Sequence, residues 1–465
     1  MSAASTPFSK TATTALWLDR LGPIAHRSSL DGDADVDVAI VGGGFSGLWT
    51  AYYLSELDPS LRILLIEREF CGFGASGRNG GWAVGELAGS IEKYAKMSSE
   101  SEALRQARAV FAAVDEIGRV AQAERIDCGY AKGGWIRLAR NAPQAQRQRD
   151  EIAHEHGRGF TEDEIRLLEP DEARSYMNAT RVSGGIYFSA CASIDPARLV
   201  RGLAATVEAR GVRIVENTAV TKIEAGRVHT ADGLVRADVV IRATEAYTRD
   251  LEGERRTLLP VYSLMIATEP MPDEFFDDIG LAGRPTFSDD RYMVIYGQRT
   301  DDNRLAFGGR GVPYLFGSKI ARTAELHEPS HQLIRDTLVD MVPALRDVAI
   351  THRWGGVLGI PRDWVPGVRF DPATREGSLG GYVGEGVAPA NLAGRTMADL
   401  VVGAETDRTS LPWVDHHSRR WEPEPFRWLG VRSSRRILAA ADASEDRRGK
   451  EATLAFKMSR LLRGS

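Results

Sequence analysis

Val36-Asp37-Val38-Ala39-Ile40-Val41-Gly42-Gly43-Gly44-Phe45-Ser46-Gly47-Leu48-Trp49 is the stretch that decides the fold. Residues 36–41 have the length and β-branched content of a buried parallel strand. Gly42, Gly44 and Gly47 follow at G-x-G-x-x-G spacing. Gly42 permits the tight turn, Gly44 lets a pyrophosphate approach the backbone, and Gly47 lets the next helix lie close on the strand. The start of that helix supplies N–H groups and a positive dipole end, which suit phosphate. A second apolar strand ends in Leu64-Leu65-Ile66-Glu67, with Glu67 20 residues beyond Gly47. There a carboxylate accepts hydrogen bonds from an adenosine ribose. Strand, glycine turn, helix, strand and acid together predict an adenine-dinucleotide site of the Rossmann type. An acid at position 67 disfavours a 2′-phosphate, and therefore NADP.

The chain has 465 residues, enough for two closely joined domains. Its 43% hydrophobic and 26% charged content is that of an ordinary globular protein. A net charge of −5 lacks the basic footprint of a nucleic-acid binder. No window resembles a membrane span, and residues 1–10 lack the apolar core of a signal peptide. Cys71, Cys128 and Cys191 are far apart and show no metal-ligand spacing, as expected of a reducing cytoplasm. His416-His417 has no partner ligands at useful spacing, so no metal site is expected.

Outward from the first motif, residues 1–34 read as an arm anchored by Trp17, Leu18 and Leu21. A helical pattern runs from 91 to about 125, a strand is expected over 129–138, and a helix over 142–156. Asp195-Pro196 opens a further helix, and Asp232-Gly233 marks a hairpin. Strands in 257–320 suggest an antiparallel sheet, with a helix over 328–341 and another over 387–402. The expected organisation is α/β with α+β character. A discontinuous dinucleotide domain takes 35–90, 185–255 and 345–405, and a substrate domain takes 91–184 and 256–344. A basic arm, 406–465, packs on the body or on another subunit. A pocket between the two domains follows from this interleaving.

Two more glycine motifs narrow the cofactor. Gly72-Phe73-Gly74-Ala75-Ser76-Gly77-Arg78-Asn79-Gly80-Gly81-Trp82 exposes backbone to a flat ligand and adds donors from Ser76, Arg78 and Asn79. A nicotinamide dinucleotide does not require this loop, whereas a flavin needs contacts along its ribityl chain and ring. Gly384-Glu385-Gly386-Val387-Ala388 opens a helix whose N–H groups could face the flavin N1–C2=O edge.

With Ala243-Thr244-Glu245-Ala246-Tyr247-Thr248, these motifs resemble the FAD-dependent D-amino-acid-oxidase-like superfamily, which includes sarcosine and glycine oxidases. The Gly74–Gly81 run is most similar to the γ-glutamylputrescine oxidase branch. The resemblance covers roughly residues 15–405 and implies oxidation of a C–N bond, with dioxygen or another acceptor reoxidising the flavin. It implies that Gly42, Gly44, Phe45, Ser46 and Gly47 hold the pyrophosphate, and Glu67 with Arg68 the adenosine. Gly74, Ala75, Ser76, Arg78, Asn79, Gly80 and Gly81 would run along the flavin. Val220 would contact adenine, Thr244 would lie near the pyrophosphate, and Gly359 with residues 384–388 would approach the isoalloxazine. Two residues depart from the branch: Glu385 stands where histidine is common, and Glu245 where glycine or asparagine is common. The 74–82 loop offers neither histidine nor cysteine, so FAD is expected to be non-covalent.

Amine oxidation by flavin needs alignment and a dry site more than a strong base. Candidate substrate-side residues are Tyr262, Tyr292 and Tyr296 on strands, Arg310, Arg353, Trp354 and Glu385. An arginine would anchor a carboxylate, aromatics would shield the flavin face, and Glu385 would suit an ammonium. The expected partners are a small amine and an electron acceptor, in a cytoplasmic monomer or homodimer. Two other readings stay open: an NAD-dependent dehydrogenase, and a non-catalytic flavoprotein subunit.

Overall fold

A computed structural model describes Phe8 and residues 11–311, 314–453 and 457–458. Expectations for the remaining terminal residues lie outside these.

The quoted stretch forms a strand, Ala34–Val41, then a helix, Phe45–Leu57, and then the strand Ile63–Ile66. The last four residues of the first strand and all of the second are buried, as expected of the middle of a parallel sheet. Ala34–Val41 pairs in parallel with Ile63–Ile66 on one side and Leu234–Arg242 on the other. The sheet runs 367–371, 376–380, 234–242, 34–41, 63–66, 213–215, and a hairpin, Val220–Glu224 with Arg227–Thr230, extends from its 234–242 strand. Helix Phe45–Leu57 is buried almost all round. It packs beneath Val387–Val402 at Gly394, where a Cβ would stand 2.6 Å from that of Trp49.

The second sheet has the order 350–360, 259–268, 305–310, 295–299, 286–289, 135–139, 184–188, 165–168. Its neighbours pair antiparallel except Thr286–Asp289 with Trp135–Ala139, which pair in parallel. Gly184–Phe188 and Ile350–Ile360 belong to this sheet, although the boundaries read from the sequence put them with the dinucleotide unit. Strand composition signals extended chain but not the partner, because pairing is decided by long-range packing.

Other local differences have local causes. The helix expected over 91–125 is two helices, Ile91–Met97 and Glu100–Ala123. Ser99 breaks the run by capping the second, accepting a hydrogen bond from the Glu102 amide at 3.2 Å. The strand expected at 129–138 begins only at Trp135, after Gly134 at φ +76°. The C-terminal segment contains a docked helix, Phe426–Arg448, with Arg427, Ala441 and Glu445 buried. Trp17 anchors the N-terminal arm: it is buried edge-on against Trp354 at 6.3 Å. No helix among the described residues is long and apolar enough to cross a membrane.

Candidate functional site

A cavity of about 380 Å³ lies where the two sheets meet. Its long arm is built by the first glycine turn. Gly42, at φ +114°, brings the turn so close to Ala243 that a Cβ would stand 2.4 Å from the Ala243 carbonyl oxygen. A Cβ on Gly47 would stand 2.0 Å from the Gly42 oxygen, so only glycine lets the helix start here. Glu67 accepts hydrogen bonds from the Gly43 amide at 2.7 Å and the Glu69 amide at 3.0 Å. Burial still holds its carboxyl above the usual range, against those two donors. Arg68 lies over the Tyr247 ring at 4.6 Å and pairs with Asp250 at 3.1 Å.

The second glycine motif closes over the first. The Phe45 amide donates to Ser76 Oγ at 2.9 Å. Asn79 ties the loop to itself: its Nδ2 donates to the Ala75 and Ser76 carbonyls, and its Oδ1 accepts from the Gly81 amide at 2.7 Å. From outside, Trp17 Nε1 donates to the Asn79 carbonyl at 2.8 Å, and Trp354 Nε1 to the Arg78 carbonyl at 2.9 Å. Gln298 Nε2 donates to the carbonyls of Gly80, Gly81 and Ile194. Arg78 pairs with Glu325 at 3.0 Å.

The third motif is fixed by a buried carboxyl. Glu245 accepts from the Gly359 amide at 3.0 Å and the Gly381 amide at 2.8 Å. Burial pushes its pKa up to about 7, opposed by those two hydrogen bonds. Val383 lies at φ 61°, strained for a β-branched residue, and its carbonyl accepts from Arg310 Nη2 at 2.7 Å. Ser46 Oγ and Tyr382 OH, 2.9 Å apart, join the first motif to the third.

Beyond these motifs the cavity widens between Trp82, Trp135 and Tyr296. Trp82 stands 5.8 Å from Trp135 and 6.0 Å from Tyr296. Tyr296 OH lies 2.6 Å from Ser263 Oγ, and burial raises its pKa to about 12. Charged residues line the same end: Glu86, Arg137, Asp289, Asp290, Arg291, Arg310 and Glu385. Arg291 holds Asp289 with two hydrogen bonds of 2.7 and 2.5 Å. Asp290 lies 3.5 Å from Arg137 and 3.2 Å from Arg147. Burial lifts the Asp290 pKa to about 6, opposed by both arginines. The walls thus offer paired charges of both signs behind aromatic faces.

Eighteen of the expected cofactor residues line this cavity: Gly42, Gly44, Phe45, Ser46, Glu67, Arg68, Gly74, Ala75, Ser76, Arg78, Asn79, Gly80, Val220, Thr244, Gly384, Glu385, Gly386 and Val387. Gly47, Gly81, Gly359 and Ala388 do not line it. Of the substrate-side candidates, Arg310, Glu385 and Tyr296 line it. The other four do not. Tyr262 is core, its hydroxyl accepting from the Ala321 amide at 2.7 Å. Trp354 is buried beneath the Arg78 carbonyl. Arg353 lies 5.3 Å over the Phe8 ring. Tyr292 precedes the strand Ile295–Arg299 rather than sharing it with Tyr296, and its hydroxyl donates to Glu445 of the C-terminal helix at 3.0 Å. Sequence reasoning did not place Trp135, Arg137 and residues 289–291 at the cavity wall, and took Trp82 only as the end of the second glycine motif. The alternation Trp135-Ile136-Arg137, which puts Trp135 and Arg137 on one face, was the available signal.

A γ-glutamylputrescine oxidoreductase from Escherichia coli is 30% identical over 429 residues, 90% of this chain and 96% of the relative. The sarcosine oxidase β subunit of Rhizobium meliloti is 24% identical, over 80% of this chain and 86% of that protein. The crystal structure of glycine oxidase from Geobacillus kaustophilus superposes with a TM-score of 0.68 at 20% identity, covering 83% of this chain and all of that one, which shows the fold. The FAD dependent oxidoreductase (DAO) profile matches residues 37–400, and the chain belongs to that family.

Proposed function

We propose that this protein oxidises the C–N bond of a primary or secondary amine or amino acid, the imine product then hydrolysing in water. The observation that carries this reading is one continuous cavity, running from a glycine-built dinucleotide cradle into an aromatic chamber lined by paired charges. The names of the relatives point the same way: γ-glutamylputrescine oxidoreductase and sarcosine oxidase act on amines.

The cradle fits FAD. Gly42, Gly44, Gly74 and the start of the 45–57 helix, whose first turn carries no acidic residue, are suited to a pyrophosphate. Glu67 and Val220 stand at the adenosine end, and both oxygens of the buried Glu245 are already held by backbone amides. Among the described lining residues there is neither histidine nor cysteine, in keeping with non-covalent attachment. Bound there, FAD supplies a hydride acceptor at N5 and a route for the electrons to dioxygen.

The protein's own task is alignment and exclusion of water. Trp82, Trp135 and Tyr296 shield the reacting end, so a neutral amine keeps its lone pair directed at the C–H bond that breaks. Arg310 and Arg291 suit a substrate carboxylate, and Glu385 and Asp290 an ammonium. Asp290, whose pKa burial raises above the usual carboxylate range, is a suitable acceptor for the proton that an ammonium substrate must shed.

Anaerobic titration of the yellow protein tests this. The panel is γ-glutamylputrescine, free polyamines, sarcosine and D- and L-amino acids. One amine is expected to bleach the flavin band near ~450 nm, and air is expected to restore it. A protein that carries FAD but is bleached by no amine would sink the amine reading.

A further inference from the structure

The wall segment 289–294 is held from two sides. Inside, Asp289, Asp290, Arg291 and Val294 line the cavity. Between the strands Thr286–Asp289 and Ile295–Arg299, residues 290–294 belong to no strand, so little ladder pairing fixes them. Outside, the C-terminal helix supplies what the ladder does not. Asp442 accepts from the amides of Tyr292 and Met293, both at 2.8 Å. Glu445, buried, accepts from Tyr292 OH at 3.0 Å and from Arg147 at 2.9 Å. Arg147 lies 4.8 Å over the Tyr292 ring and donates to the Asp290 carboxylate at 3.2 Å and to its carbonyl at 2.8 Å. Glu445 and Asp290 therefore share one guanidinium, and the second of them faces the cavity. The helix, Phe426–Arg448, lies beyond the residues matched by the family profile, which end at 400.

We propose that the C-terminal helix is a positioning element for the substrate end of the cavity, acting through Asp442 and Glu445 on the 289–294 wall. The proposal rests on the amine-oxidising reading for its kinetic consequence, and on hydrogen-bond geometry alone for its structural one. Two adjacent backbone amides captured by one carboxylate fix the direction of the chain between them. Arg147, clamped by Glu445, sets where the Asp290 carboxylate stands. A wall misplaced by a fraction of an ångström weakens binding at that end, while the flavin cradle, built from other elements, stays as it is.

The test is Asp442→Asn in the full-length, FAD-loaded protein, with Arg436→Ala, an exposed residue of the same helix, as control. Hydrogen exchange across 289–294 is expected to accelerate in Asp442→Asn and to stay unchanged in the control. With the amine that reduces the wild type, KM is expected to rise about tenfold with kcat within about twofold, the pattern of lost binding rather than lost chemistry. Accelerated exchange with unchanged KM overturns the proposal, and so does unchanged exchange. Should Asp442→Asn fail to fold, Tyr292→Phe, which removes only the hydroxyl shared with Glu445 and Arg147, is expected to move KM in the same direction by less. An unchanged KM there overturns the proposal too. If no amine reduces the wild type, the functional reading fails separately, and the exchange arm still decides whether the helix holds the wall.

Discussion

Glu245 shows how one residue couples the third glycine turn and the 350–360 strand to pH. Its two oxygens accept from amides of the 350–360 strand and the 380–386 turn, at the cavity wall. Burial raises its pKa from 4.5 to about 7, so the folded state binds this proton more tightly than the unfolded chain does. The stability it contributes is complete below about pH 4.5 and is lost as pH rises through about 7. Glutamine, which cannot ionise, avoids that loss but turns an N–H toward one of the two amides. Glu245→Gln should therefore melt below the wild type at about pH 5, with the gap narrowing toward about pH 8. A gap that stays constant across that range would mean that Glu245 does not titrate there. The residue was conspicuous in the sequence as a departure from the family pattern, but a sequence cannot say that both oxygens are spoken for. For Tyr262, Tyr292, Arg353 and Trp354 the residue types were right for a pocket, yet their burial among other partners is a tertiary fact.

Among elements, the N-terminal arm acts on the site rather than merely leaving it. Trp17 is buried and its indole N–H meets the carbonyl of Asn79, the residue that braces the second glycine loop. Trp17→Phe removes that hydrogen bond at a cost of about 1 kcal/mol. Trp17→Ala adds a cavity, at about 3–5 kcal/mol. Both should release flavin faster on dialysis than the wild type, Trp17→Ala more so, followed by the ~450 nm absorbance of the retained protein. Destabilisation with wild-type flavin retention would assign the arm to stability alone. Element identity was largely legible: Asp195 caps Pro196–Ala209 through two amides, as its N-cap position predicted, and Glu328–Met341 runs where the apolar spacing placed it. Element interruption was less so. The break at Ser98-Ser99 depends on a serine choosing to cap, a role that serine also declines in many helices.

At the scale of the molecule, the cavity draws walls from both eight-stranded sheets, so a ligand that fills it ties them together. FAD that binds only the folded state adds about 2.7 kcal/mol at a hundredfold excess over its dissociation constant. Stripped protein should melt several degrees below the FAD-loaded form, and added FAD should restore the difference. Equal melting of the two forms would show that the walls stand without their ligand. The sequence by itself determined the dinucleotide unit, the three glycine motifs and the family. Each of these depends on steric and electrostatic demands within a few residues: a turn needing positive φ, a helix start facing phosphate, an acid at the end of a strand. Only the tertiary structure decided which sheet the 184–188 and 350–360 strands join, and which aromatic and charged residues meet at the reacting end. It alone brought a C-terminal helix to brace the 289–294 wall from behind. Those outcomes depend on contacts between residues from tens of positions to almost three hundred apart, and local periodicity carries no record of them.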